Sequence, residues 1–154
     1  MPEHKLPHKT VGIKEEGADY YERPGVYILP VKNGKLGLVR TPKAYCLIGG
    51  GKEKGESDFE CMEREVREET GYSVSPGGLF ATAEQFKPDQ PCIGCFHPFQ
   101  YYYTAELLEK VCEPVEENHF LEWVDIEKTD GLMRLEMQQF AVDILREKAK
   151  EHKA

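Results

Sequence analysis

One helix in this chain carries its own start and stop signals, and it constrains everything around it. Ser57 is placed to cap a helix over Asp58 to Thr70, with Glu60 three residues on to close a capping box. Gly71 stands where a left-handed terminating residue belongs. At about 100° per residue, Glu65, Glu68 and Glu69 fall within an arc of about 100° and share one face. Phe59, Met62 and Val66 occupy the neighbouring arc, which is expected to pack on the core. Like charges at this spacing repel, so the cluster is best tolerated when a cation neutralises it. Hard oxygen donors of this kind suit Mg²⁺ or Mn²⁺. The plainer reading is a solvated acidic face, which is common in a chain with 28 acidic residues.

What precedes the helix favours the cation. Gly49-Gly50-Gly51, followed by Gly55-Glu56, has no role in making an acidic helix. It fits a turn that lets backbone approach a ligand and delivers Glu56 to the same place. Arg40 and Lys43, just upstream, are candidates to meet a substrate phosphate or to lie solvated on the surface.

Bulk properties bound the reading. A chain of 154 residues fits a single domain that needs no disulfide or metal staple. The net charge of −8 disfavours binding along duplex nucleic acid, and an anionic ligand would call for a bridging divalent cation. Five cysteines, an odd number, without a signal-peptide core read as reduced thiols in a soluble, cytoplasmic protein. No apolar run reaches the length of a membrane span.

Along the chain, residues 1–24 form a polar extension in which Thr10 to Ile13 can make an edge strand, and residues 25–150 form the domain. Val26 to Val31 and Leu36 to Val39 flank Asn33-Gly34, a hairpin signal. Ala44 to Ile48 reads as a strand running into the glycines. Leu79 to Phe86, Phe99 to Leu107 and Leu121 to Val124 read as strands, with Lys87 to Pro98 linking the first two. Leu132, Leu135, Met137, Phe140, Ile144 and Leu145 trace a helical stripe to the C-terminus. Strands around one central helix, with a second helix at the end, imply an α/β fold with a mixed sheet between helices.

The run from Gly50 to Tyr72 resembles the Nudix box. Gly50, five residues, Glu56, seven residues, then Arg64-Glu65-Val66-Arg67-Glu68-Glu69-Thr70-Gly71 match it, and only Tyr72 departs, where an aliphatic residue is usual. Ile48 stands where many relatives carry proline. The resemblance implies a Nudix-type α/β/α sandwich and a loop-helix-loop metal site. It implies Glu65, Glu68 and Glu69 as ligands of Mg²⁺ or Mn²⁺, with Glu56 supporting them and Arg64 orienting them. It also implies Mg²⁺-dependent attack of water on phosphorus in a nucleoside diphosphate linked to another group. Nucleoside triphosphates including oxidised ones, dinucleoside polyphosphates and nucleotide sugars are the candidate substrates, with Gly49, Gly50, Gly51 and Arg40 on the substrate side. Glu117 is the favoured carboxylate from outside the helix to serve as general base, with Glu116 and Glu122 as rivals. A binding or regulatory domain without turnover is the alternative, though it would have no use for all three helix glutamates. An isomerase of allylic diphosphates on the same scaffold would need a catalytic cysteine and a base that the sequence does not identify. A homodimer is compatible with the sequence, which carries no signal for or against it.

Other groupings carry less. Cys92-Ile-Gly-Cys95-Phe-His97 is half of a zinc knuckle without a well-spaced second pair, so a loop with two thiols is the default. Tyr101 and Tyr103 share one strand face and Tyr102 the other, so at most one set can meet a ligand, and core packing is expected. Pro88 is one residue off the position of a marker proline in some ADP-ribose-specific relatives, and is not credited.

Overall fold

Asn33 and Gly34 both take positive φ, 53° and 75°, which suits the tight hairpin whose twist matches that of its strands. This turn joins β2 (Tyr20–Lys32) to β3 (Lys35–Arg40), with Val31 opposite Leu36. The computed structural model describes residues 5–86 and 95–153. In order, the elements are β1 (His8–Val11), β2, β3, β4 (Tyr45–Cys46), β5 (Ile48–Gly51), α1 (Asp58–Thr70), β6 (Tyr72–Gln85), β7 (Cys95–Lys110), β8 (Phe120–Asp125), a 3₁₀ turn (Ile126–Lys128) and α2 (Glu136–Lys153).

The sheet runs β1-β6-β7-β2-β3-β4, with β5 also paired to β2 and β8 to β3. It is mixed: β1 with β6 and β2 with β7 are parallel, and the other pairs are antiparallel. A helix covers each face. Alternation along the strands sends Val26 and Ile28 to the same cluster as Met62 and Val66 of α1. It sends Leu29, Ala81, Ala83 and Tyr102 to the cluster of Met137, Ala141 and Val142 of α2. Tyr101 and Tyr103 pack on the α1 side and Tyr102 on the α2 side, as their alternation requires. The architecture is therefore the expected α/β/α sandwich. No described helix is long and apolar enough to cross a membrane.

Several boundaries differ from the sequence reading. The edge strand ends at Val11 because Gly12 turns there with φ 81°, where a Cβ would collide with the Phe86 carbonyl. A boundary at residues 24–25 falls inside β2, which pairs with β7 from Tyr20 onward. β6 extends back to Tyr72 through Pro76-Gly77-Gly78 by register shifts that absorb residues otherwise read as breakers. Gly49-Gly50-Gly51 is no turn: it is most of β5, with Gly51 paired to Gly25 and Gly50 to Val26. The helical stripe begins only at Glu136, so Leu132 and Leu135 pack on the core from the segment before α2. Phe59 is half exposed, because it sits in the first turn of α1, edge-on over the Tyr103 ring. Cys92 and Pro88 lie outside the described residues.

Candidate active site

Both caps of α1 form. Ser57 Oγ accepts from the Glu60 N–H at 3.1 Å, and Glu60 Oε1 accepts from the Ser57 N–H at 3.1 Å. Gly71 takes φ 79° and its N–H donates to the Arg67 carbonyl. The segment after β7 then folds back on the helix end, where Val115 and Glu116 N–H groups donate to the Glu68 carbonyl at 2.8 and 3.2 Å. A carbonyl at the helix end is thereby satisfied, and Glu116 is brought beside the helix glutamates.

Arg64 organises the charges. Its Nε donates to Glu56 Oε2 at 2.7 Å and its Nη2 to Glu56 Oε1 at 2.9 Å, a bidentate clamp. Its Nη1 donates to Glu65 Oε1 at 2.9 Å and to Glu68 Oε2 at 3.4 Å, and its Nη2 also reaches the Gly51 carbonyl at 3.0 Å. One guanidinium thus ties together Glu56, Glu65, Glu68 and strand β5. The bond to Arg64 holds the Glu56 carboxyl down at about 2, helped by the Glu53 N–H. Both Glu56 oxygens are consequently engaged.

Glu69 is the deepest of the carboxylates, only 7% exposed. It lies in the buried stripe itself rather than beside it, at the fourth corner of a Met62, Val66, Glu69 and Thr70 face. Burial pushes its carboxyl up to about 8, opposed by the Gly49 N–H at 3.2 Å and reinforced by the charges of Glu65, Glu116 and Glu68. Burial likewise raises Glu65, with Arg64 pulling the other way and Glu68 and Glu116 adding to the rise. Two carboxylates destabilised as anions by burial and by one another form an oxygen donor set that a small divalent cation would neutralise. Among the described residues no three His, Cys, Asp or Glu side chains are grouped so as to hold a metal ion, and the Arg64 guanidinium lies among Glu56, Glu65 and Glu68.

The glycines serve the carboxylates. A Cβ on Gly50 would fall on the Glu65 carboxylate, and one on Gly49, with φ 147°, would strike the Val26 carbonyl. These residues bring backbone directly against Glu65 and Glu69.

The remaining sequence candidates are spread out. Glu117 is exposed and makes no hydrogen bond or ion pair among the described residues, whereas the charge of its neighbour Glu116 bears on Glu65 and Glu69. Glu122 in β8 pairs with Arg40 at 3.6 Å, and Arg40 also stacks over the Phe120 ring. Arg40 is thus tied to β8. His119 was not singled out for this site, yet its Nδ1 is 3.6 Å from Glu69 Oε2. His97 bonds Glu84 at 3.0 Å and stacks on Phe86, away from α1.

The site thus combines a bidentate arginine, two glutamates bonded to it, a third glutamate buried beside them on the same helix, and bare backbone at Gly49 and Gly50. The chain matches the family model described as the NUDIX domain over residues 21–147. Over 72 residues it is 36% identical to an NAD-capped RNA hydrolase NudC of Stutzerimonas stutzeri (strain A1501), covering 43% of this chain and 26% of that protein. The chain thus spans about a quarter of that curated relative's length. Among solved structures it is similar to a NUDIX hydrolase from Nitrosomonas europaea, with TM-score 0.69, 18% identity, and coverage of 84% of this chain and 90% of the other. It is also similar to a MutT NUDIX hydrolase from Burkholderia pseudomallei, with TM-score 0.63, 19% identity, and coverage of 80% and 97%. At such identities these structures speak to the fold, and the family model, covering most of the chain, decides the family: this chain belongs to the Nudix hydrolases.

Proposed function

We propose that the protein hydrolyses a pyrophosphate bond in a nucleoside diphosphate linked to another group, using Mg²⁺ or Mn²⁺. The observation that carries this reading is that Arg64 holds Glu65 and Glu68 of one helix, while Glu69 of the same helix is buried against the Gly49 N–H. Glu65, Glu68 and Glu69 would hold the metal, while Glu56, with both oxygens engaged, anchors Arg64. When bound, such a cation neutralises phosphate charge and lowers the pKa of a water that attacks phosphorus. Arg64 keeps Glu65 and Glu68 aimed, and the capped helix keeps the spacing rigid. Glu116, rather than Glu117, is the outside carboxylate best placed to take a proton from water, since its backbone is bonded to the helix end. Nucleoside triphosphates, dinucleoside polyphosphates and nucleotide sugars are the substrate classes this chemistry admits.

The test is a panel of these compounds incubated with the purified protein and Mg²⁺, with and without chelator, following release of phosphate, pyrophosphate and mononucleotide. Turnover that chelator abolishes is the expected result. Glu68→Gln should lower it by about 100-fold or more, comparable with losing an essential orienting partner of a metal. No turnover of any compound, or full activity in folded Glu68→Gln, would sink the reading.

A further inference from the structure

On the α2 face lies a cavity of about 360 Å³ that the carboxylate site does not use. Its floor is bare backbone, because Gly25 and Gly51 face each other across β2 and β5. Neither glycine has the positive φ that would demand this residue type. What the pair provides is close approach: a Cβ on Gly25 would meet the Tyr27 ring at 2.9 Å and the Gly50 carbonyl at 3.2 Å, and one on Gly51 would meet the Arg23 guanidinium at 3.3 Å. Tyr27, Leu135 and Met137 supply apolar wall. The Arg23 guanidinium stands at the Gly51 side, with no carboxylate partner among the described residues, in a chain of net charge −8.

One wall group has a fixed polarity. The Leu47 backbone N–H donates to Gln138 Oε1 at 2.9 Å, which leaves Gln138 Nε2 to donate to Gln100 Oε1 at 3.2 Å. A backbone N–H cannot accept, so this first link sets the direction of the whole relay. Tyr102 adds its hydroxyl proton to the same Gln100 oxygen at 2.8 Å, sharing it with the Met137 carbonyl at 3.0 Å. The Gln100 oxygen is therefore committed inward, and its amide N–H₂ is the end left for the cavity it lines. Gln85, also on the wall, has no side-chain hydrogen bond among the described residues, so it is free to present either end.

We propose that this cavity takes the base of the nucleotide, and that Gln100 is a specificity-determining donor selecting a ring with a carbonyl on the entering edge over one with an amino group. Entering by the edge that bears the purine C6 or pyrimidine C4 substituent, guanine and uracil present a carbonyl to Gln100, whereas adenine and cytosine present an amino group that would face the fixed N–H₂ and leave both donors unpaired. Arg23 then meets phosphate on the side toward Gly51, whose carbonyl is bonded to Arg64. The inference rests on the nucleotide reading above, but its test measures binding and not hydrolysis, so the two fail separately.

NMR titration of the metal-free protein with GMP, UMP, AMP and CMP is the experiment. GMP and UMP should bind about 10-fold tighter or more than AMP and CMP, the scale of one buried mismatched donor. Equal binding of all four, or tighter binding of AMP and CMP, would overturn the proposal. In Gln100→Leu, with its melting checked, the preference should collapse toward unity; a folded variant that keeps it removes Gln100 from the role. Leu135→Trp, which fills the cavity from the α2 side, should weaken all four together, and wild-type binding in that variant would place the base elsewhere.

Discussion

The two faces of the sheet hold their polar groups by opposite means. On the α1 face the groups are acids and a base, with one guanidinium ion-paired to Glu56, Glu65 and Glu68 while Glu69, its carboxyl pushed up by burial, lies beside them. On the α2 face they are neutral, and a one-way relay from Leu47 through Gln138 to Gln100 sets their direction. The difference is one of sensitivity. A charge cluster responds to what cations are present, because its members repel unless neutralised. A neutral relay responds to geometry, because its links are hydrogen bonds between groups that carry no net charge.

Arg64→Ala should break the contrast most severely. It strips the clamp from Glu56, Glu65 and Glu68 and leaves partly buried carboxylates unpaired, at about 3 kcal/mol in metal-free buffer after allowing for partial exposure. Urea unfolding with and without Mg²⁺ checks this: the loss should shrink when the cation is added, and a loss indifferent to Mg²⁺ would separate the cluster from metal binding. Gln138→Leu attacks the other face. It leaves the buried Leu47 N–H and the Gln100 oxygen short of partners, a loss of about 2 kcal/mol that Mg²⁺ should not relieve. Smallest is Ser57→Ala, which removes one half of the capping box for about 1 kcal/mol and should leave both faces intact. Thermal melting of this variant gives the baseline against which the other two are judged.

Local signals carried the sequence reading far. The α1 caps, the Asn33-Gly34 hairpin and the alternation of Tyr101, Tyr102 and Tyr103 were all legible because each depends on residues a few positions apart. Glu69 was legible as part of an acidic face but not as a buried group, although its place three residues after Val66 and seven after Met62 puts it on the apolar stripe. The glycines were misread as a turn because their strand partners, Gly25 to Tyr27, lie more than twenty residues earlier. Pro76-Gly77-Gly78 hid the first half of β6, since a bulged strand tolerates the residues that end a regular one. The Gln100 relay joins residues 38 and 91 positions apart, and no local pattern announces it.

Strand β5 has a consequence for how the two faces communicate. Gly50 leaves its gap toward Glu65, and Gly51 leaves its gap toward Arg23 and the cavity. Between acid and hollow there is therefore no side chain at all, only a partition one peptide thick. With the upstream register kept, a residue inserted ahead of Gly50 would put its side chain against the Glu65 carboxylate, while the displaced glycine would still face the hollow. The run of three glycines thus makes the acid compartment the one that a slip of β5 closes, and leaves the hollow open.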